Sequence, residues 1–328
     1  MAVDNSYKEF ICVSKLSADL KKRFIDIVNT YGDKLSDRVI LNNSVFTLHD
    51  FNHHCIDLYN NISAYILDSR TAFNNEYGLS DRELFILDLA VLFHDYSMFN
   101  FLDATRENHS RKSADFIKRE YEDTRSAFRK FSDLTQEELK ALMVIMEAHS
   151  NIKDGTVQDD ENGINSPKLK NYTSKGARPI RAGFLAGVLR LADELDVTSA
   201  RLGDAFLETQ LEELNSSIKL GKIDKTDQRY DRMIESLEFW KLQHYFSFLE
   251  LKDDGDLCIH IDEEYIQKAI SEEGESPDKV KGRIAKAHKK ICDEYNSISK
   301  KLFSNRDVSF YVAIRNISLE SVSFLEKE

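Results

Sequence analysis

Apolar residues recur at helical spacing over the first two hundred positions, and breaks in that spacing divide the stretch into helices. Residues 1–45 form an opening segment with one amphipathic helix over residues 18–31. A helix beginning near Thr47 carries His49, His53 and His54 and continues through Ile56, Leu58, Ile62 and Ile66. Ser80–Asp81–Arg82–Glu83 has the capping-box form, in which a serine and a glutamate three residues on satisfy each other's free backbone N–H groups. It predicts a helix start just ahead of ELFILDLAVLFHD, a strongly apolar run that ends at His94–Asp95. A short helix over residues 109–121 follows a polar stretch. Thr135–Gln136–Glu137–Glu138 is a second capping box and opens a helix through Leu142, Ile145 and Met146 to His149. Residues 150–175 are a polar loop too long for a simple connector. Residues 181–198, containing AGFLAGVLRLADELD, read as a buried helix.

The pattern changes after Gly203. Residues 208–241 are charged and helical in spacing, and residues 245–261, YFSFLELKDDGDLCIHI, alternate about Asp253–Asp254–Gly255–Asp256, which predicts a β-hairpin. Ser276–Pro277 starts a helix with proline at its first position, and residues 309–317, SFYVAIRNI, supply a third strand. The expectation is a mainly α protein, with a helical bundle over residues 1–203 and a small α+β accessory domain over 204–328.

Composition narrows this picture. With 328 residues, 41% of them hydrophobic, the chain can bury one large core, alone or with a small satellite. Three prolines and twelve glycines leave long stretches free for helix. The balance of 45 basic against 57 acidic residues gives a net charge of −12, which argues against duplex nucleic acid as a partner. Cys12, Cys55, Cys258 and Cys292 lie far apart, so neither a disulfide framework nor a zinc–thiolate site is indicated. No run is long enough to span a bilayer, and the N-terminus lacks the basic and apolar regions of a secretory signal. These features place the protein in the cytoplasm.

The ionisable residues within the apolar helices change the reading most. His53, His94, Asp95, His109, His149 and Asp193 all lie in or beside such segments. Burying an ionisable pair such as His94–Asp95 costs several kcal/mol unless something compensates, and a metal ion compensates both members. His53, His94, Asp95 and Asp193 can hold one ion, and Asp95 can bridge to a second held by His109 and His149. Spacing leaves the first histidine open. His49 and His53 share a helical face, whereas His54 is turned about 100° away and has an alternative role packing beside Cys55 or capping a neighbouring helix.

FTLHDFNHH, FILDLAVLFHDYSM, RENHSRKS, the helix ending EAHS and LRLADELD resemble the HD-domain phosphohydrolase superfamily, in particular its branch in bacterial conflict (anti-phage) systems. The resemblance covers roughly residues 40–203. It implies His53, His94, Asp95 and Asp193 as core metal ligands, favouring His53 as the first. His109 and His149 match the extra histidines of two-metal members. The chain departs from many members at Ser97, where they carry glycine.

From Ser166 to Ala192 there is no acidic residue, while Lys168, Lys170, Lys175, Arg178, Arg181 and Arg190 fall there. This basic island is either a solvated loop or an anion-binding surface beside Asp193, joined by Arg106 and Arg201. Glu194 and Asp196 are a solvated face or pair with Arg190 and Arg201. His244, His260 and His288 lie outside the constellation and read as structural or surface residues.

The expected function is hydrolysis of a nucleotide or related small phosphoester by activated water, with one or two divalent ions among Mn, Mg, Fe, Ni, Co and Zn. Asp95, His49 and Arg106 are the expected catalytic groups. Lys175, Arg178, Arg181, Arg190 and Arg201 are the expected substrate contacts. The rivals are a nuclease or cyclic-nucleotide phosphodiesterase, and a non-catalytic sensing or assembly module. Homo-oligomerisation or a separately encoded effector partner is compatible with the charged helices after residue 204.

Overall fold

The computed structural model describes residues 16–31, 40–42, 45–47, 54–73, 78–100, 108–123, 131, 134–150, 180–198, 212, 214–221, 224, 226, 228–272, 274–303, 309 and 311–320. The protein is mainly helical, with a small three-stranded sheet. It divides into two compact units. The first contains Met1–Arg38, Leu48–Asp193 and Ser297–Ala313, and the second contains Val39–Thr47, Glu194–Asn296 and Ile314–Glu328. Each unit is thus assembled from three segments of the chain.

In the first unit α1 (Ala18–Tyr31) packs against α3 (Asp81–Phe93), burying Phe24, Ile27, Val28 and Tyr31. Next in the chain after α1 comes α2 (Ile56–Asn61), which runs into a π-helical turn, Ile62–Ile66. Ser80 caps α3 as the sequence predicts: its hydroxyl accepts from the Glu83 N–H, and Glu83 accepts from the Ser80 N–H. Thr135 and Glu138 form the same box at the start of α6 (Gln136–Ala148). Nearly every residue of α3 is buried, in keeping with a helix that is apolar on all sides.

Between α3 and α6 lie α4 (Tyr96–Asn100) and α5 (His109–Glu122). An aromatic cluster joins these helices. Tyr96 stacks on Phe116 at 4.1 Å between ring centroids, and Tyr31 meets Phe93, Phe116 and Phe131 at 5.5–5.8 Å. The Tyr31 hydroxyl donates to Glu120 Oε2 at 2.5 Å; burial, reinforced by that carboxylate, pushes its pKa well above the usual tyrosine range. The last helix of the unit, α7 (Ala182–Glu194), packs against the π turn Ser299–Phe303. A Cβ on Gly187 would lie 2.8 Å from Phe303 Cε1, so only glycine admits this approach without a shift.

In the second unit β1 (Ile40–Asn42) and β2 (Val45–Thr47) form an antiparallel pair that packs against α8 (Gln228–Gln243). Strand β2 replaces the expected helix start at Thr47. The predicted hairpin is present as β3 (Phe246–Leu251) and β4 (Asp256–Ile261), with Gly255 at φ 87° in the turn, the left-handed region that glycine enters freely. The third strand is β5 (Asn316–Leu319), shifted from the predicted residues 309–317 and parallel to β4. Helices α9 (Glu263–Ser271) and α10 (Pro277–Ile298) complete the unit, the latter opening at Pro277 as predicted. Glu194 pairs with Lys290 at 2.7 Å. Among the described residues no helix is long and apolar enough to cross a membrane.

Candidate metal centre

His94 and Asp95 occupy the joint between α3 and α4, buried to 1% and 5% exposure. His94 Nδ1 lies 2.9 Å from the Val91 carbonyl, an acceptor only, so Nδ1 carries a proton and Nε2 faces the site. His149, the residue that ends α6, repeats the arrangement, with Nδ1 donating to the Met146 carbonyl at 2.5 Å. Burial pushes the His149 pKa down, and His94 and His109 add to that against the opposing pull of Asp95. The ring is thus held neutral, the form that binds metals.

The two oxygens of Asp95 face different partners. Oδ1 lies 3.0 Å from His109 Nε2 and 3.2 Å from His149 Nε2, and these two nitrogens are 3.0 Å apart. Oδ2 lies 3.5 Å from His94 Nε2 and 3.9 Å from His54 Nε2. His54 Nε2 is in turn 3.0 Å from His94 Nε2 and 3.5 Å from Asp193 Oδ1. Partial burial pushes the Asp193 pKa up, but His54 first and His94 second outweigh it and hold the group below the usual carboxylate range. Its side chain is 32% exposed, the most accessible of the cluster.

This donor set fits divalent metal. His54, His94 and Asp193 form one group whose donor atoms lie mutually within 4.8 Å, and His94, Asp95 and His149 form another. Two donors each about 2.1 Å from an ion stand about 3 Å apart when they subtend a right angle, which is the separation of the His54 and His94 Nε2 atoms and of the His109 and His149 Nε2 atoms. The ligands also sit at helix ends. His94–Asp95, His149 and Asp193 close α3, α6 and α7, so three C-terminal ends, each carrying partial negative charge, bear on one cluster.

The structure brings together His94, Asp95, His109, His149 and Asp193 of the residues the sequence singled out. Among the described residues the first histidine of the cluster is His54, where the resemblance favoured His53; His53 and His49 lie outside the described residues. Leu58, Asn61, Ile62 and Ile66, on the helical segment that follows His54, are buried.

Arg181, expected as a substrate contact, lies against Glu83 and Tyr311. Its guanidinium is committed to the buried Glu83, with Nε and Nη2 each 2.7 Å from a carboxylate oxygen, and it lies over the Tyr311 ring at 4.9 Å. Arg190 is also buried, and its Nη1 donates to the Ala148 carbonyl at 3.3 Å, beside His149. Arg106, Lys168, Lys170, Lys175, Arg178 and Arg201 lie outside the described residues. Ser97, the departure from glycine, is fully buried inside α4, and its hydroxyl donates to the His109 carbonyl at 2.8 Å.

Comparison with protein families matches residues 44–295 to the HD-CE family. No curated protein and no solved structure matches the chain. The matched span takes in the whole cluster and reaches well beyond the helices that carry it. An HD-type domain with histidine and aspartate groups able to hold metal is compatible with a metal-dependent hydrolase. The family match extends over most of the chain, and the protein belongs to the HD-CE family.

Proposed function

We propose that the protein is a divalent-metal-dependent phosphohydrolase acting on a nucleotide or a related small phosphoester. The observation that carries this reading is the divided role of Asp95, whose two oxygens face two separate sets of imidazoles. His54, His94 and Asp193 with Asp95 Oδ2 would hold one ion, and His109 and His149 with Asp95 Oδ1 a second. When bound, such ions supply Lewis-acid activation of a phosphoryl oxygen and of water.

The protein's own residues set the terms for substrate. Neutral His149 and anionic Asp193 present donor atoms without first having to lose protons. The exposed edge at Asp193 is the side from which a phosphoryl group would reach the cluster. Basic residues lead into α7 in sequence, and Lys175, Arg178, Arg201 and Arg106 are proposed to neutralise the non-bridging oxygens. His49 is proposed as the group that delivers a proton to the leaving oxygen. A role in anti-phage defence follows from the conflict-system resemblance and belongs to the same proposal.

Metal content by elemental measurement, followed by a phosphate-release screen over nucleotides with Mn²⁺, Mg²⁺ or Ni²⁺, tests the reading. Release that disappears in the His94→Ala/Asp95→Ala double variant is expected. Bound metal with no release from any substrate would favour a sensing module instead, and hydrolysis surviving in the double variant would refute the metal-centred reading.

A further inference from the structure

The two halves of the cluster are tied to the fold by separate sets of bonds. On the side of His54, His94 and Asp193, Asn61 Nδ2 donates to the Ala192 carbonyl at 3.3 Å, and the Tyr59 hydroxyl donates to the Asp88 carbonyl at 2.8 Å. These tie α2 to α7 and α3. On the side of His109 and His149, serine hydroxyls act alongside the Arg190 bond to the Ala148 carbonyl. The Ser97 hydroxyl donates to the His109 carbonyl, while the Ser97 N–H donates to Ser113 Oγ at 3.0 Å. The Ser150 hydroxyl donates to Ser110 Oγ at 2.8 Å. Ser97, Ser110 and Ser113 are fully buried, at 0% exposure.

Their placement is systematic. Ser97 stands two residues after Asp95, Ser110 directly after His109, and Ser150 directly after His149. The bonds run between elements, from α4 to α5 and from α5 to the end of α6, so they set the distance between separately carried ligands. We infer that Ser97 and Ser110 are positioning residues that place His109 and His149 for one ion of the pair, independently of the ion at His54, His94 and Asp193. The inference rests on the two-ion reading above. A partner that orients a metal ligand contributes roughly 10–100-fold to metal affinity, which sets the size of the expected effect.

The test uses the full chain, stripped with chelator and reloaded with Mn²⁺, as wild type, Ser97→Ala and Ser110→Ala. Metal stoichiometry and affinity are measured alongside the Mn²⁺ electron paramagnetic resonance spectrum and the far-ultraviolet circular dichroism. Wild type is expected to bind two ions with the broadened spectrum of a spin-coupled pair. Each variant is expected to keep one ion at unchanged affinity, to bind the other roughly 10–100-fold more weakly, and to show the six-line spectrum of isolated Mn²⁺ with its helicity intact. Variants that hold both ions at wild-type affinity, lose both together, or lose helicity would each overturn the inference while leaving the two-ion reading standing. A wild type that binds fewer than two ions would instead overturn that reading, and the inference with it.

Discussion

Replacing Arg181 by methionine distinguishes a structural arginine from a substrate-binding one, and the bonds of Glu83 set the magnitude. Glu83 Oε1 accepts from the Arg181 backbone N–H at 3.0 Å and from Nε at 2.7 Å. Its Oε2 accepts from Arg181 Nη2 at 2.7 Å and from the Ser80 N–H and hydroxyl at 3.0 and 3.1 Å. The Glu83 side chain is 2% exposed and that of Arg181 24%, so solvent replaces little of what is removed. Burial works against the charge on Arg181, but Glu83 prevails and its pKa is raised. Methionine keeps much of the stem and the backbone donor, and deletes two charge-assisted hydrogen bonds.

Removing one member of a buried ion pair costs about 3–5 kcal/mol. Three donors to Glu83 survive the change, which favours the lower end, about 3 kcal/mol. Losing the guanidinium over Tyr311 adds about 0.5–1 kcal/mol, for an expected total of about 3–4 kcal/mol. Urea unfolding followed by far-ultraviolet circular dichroism reads this value. Glu83→Gln/Arg181→Met should be less destabilised than the sum of the single variants by up to about 3 kcal/mol. If Arg181→Met lies within about 1 kcal/mol of wild type while KM for a phosphoester rises, Arg181 serves substrate and the structural assignment is refuted.

Three other outcomes are expected. His54→Ala should lower metal affinity by an order of magnitude or more, measured by competition with a chromogenic chelator. The same loss in His53→Ala with none in His54→Ala would restore His53 as first ligand. Gly187→Ala should destabilise the protein by about 1–2 kcal/mol in thermal unfolding, because overpacking against Phe303 and Ile298 exceeds the gain of about 1 kcal/mol in helix propensity; a stabilised variant would show that these side chains yield freely. His288 is held below the usual histidine range by burial, against a raising contribution from the Ile317 backbone. The folded state therefore binds a proton less readily than the unfolded chain, so stability is kept above pH about 6.5 and lost as pH falls below it. His288→Gln should flatten that part of the pH–stability curve, and an unchanged slope would remove His288 as its source.

What was legible in the chain was what neighbours in sequence decide. Ser80 with Glu83, and Thr135 with Glu138, fix two helix starts through bonds three residues long, and Asp253–Asp254–Gly255–Asp256 fixes a hairpin turn. The illegible features depend on distant partners. Arg181 looked like part of an anion-binding island because the carboxylate it meets is 98 residues away in sequence. Strands β1 and β2 are three residues each, too short for an alternating pattern to show. Strand β5 is placed by pairing with β4, which its own residues cannot reveal. His54 is a different case: spacing leaves His53 and His54 open, and the family pattern points to the neighbouring position.

A helical bundle faces a conflict when it must bury both an apolar core and a polar centre, and this chain resolves it by position along each helix. The interior of α3 is almost wholly apolar and buried, and its two ionisable site residues come only after Phe93, where the helix stops. Helix α6 ends at His149, and α7 reaches Asp193 one residue before its end. The partial negative charge at these three C-termini favours the cation that their donors would hold. A helix-interior site would have to interrupt the packing of the core with each ligand it added. A site made of helix ends leaves the packing largely intact, which is why a strongly apolar run ending in His–Asp is informative: the run requires a buried helix, and the pair requires something at its end to compensate two buried ionisable groups.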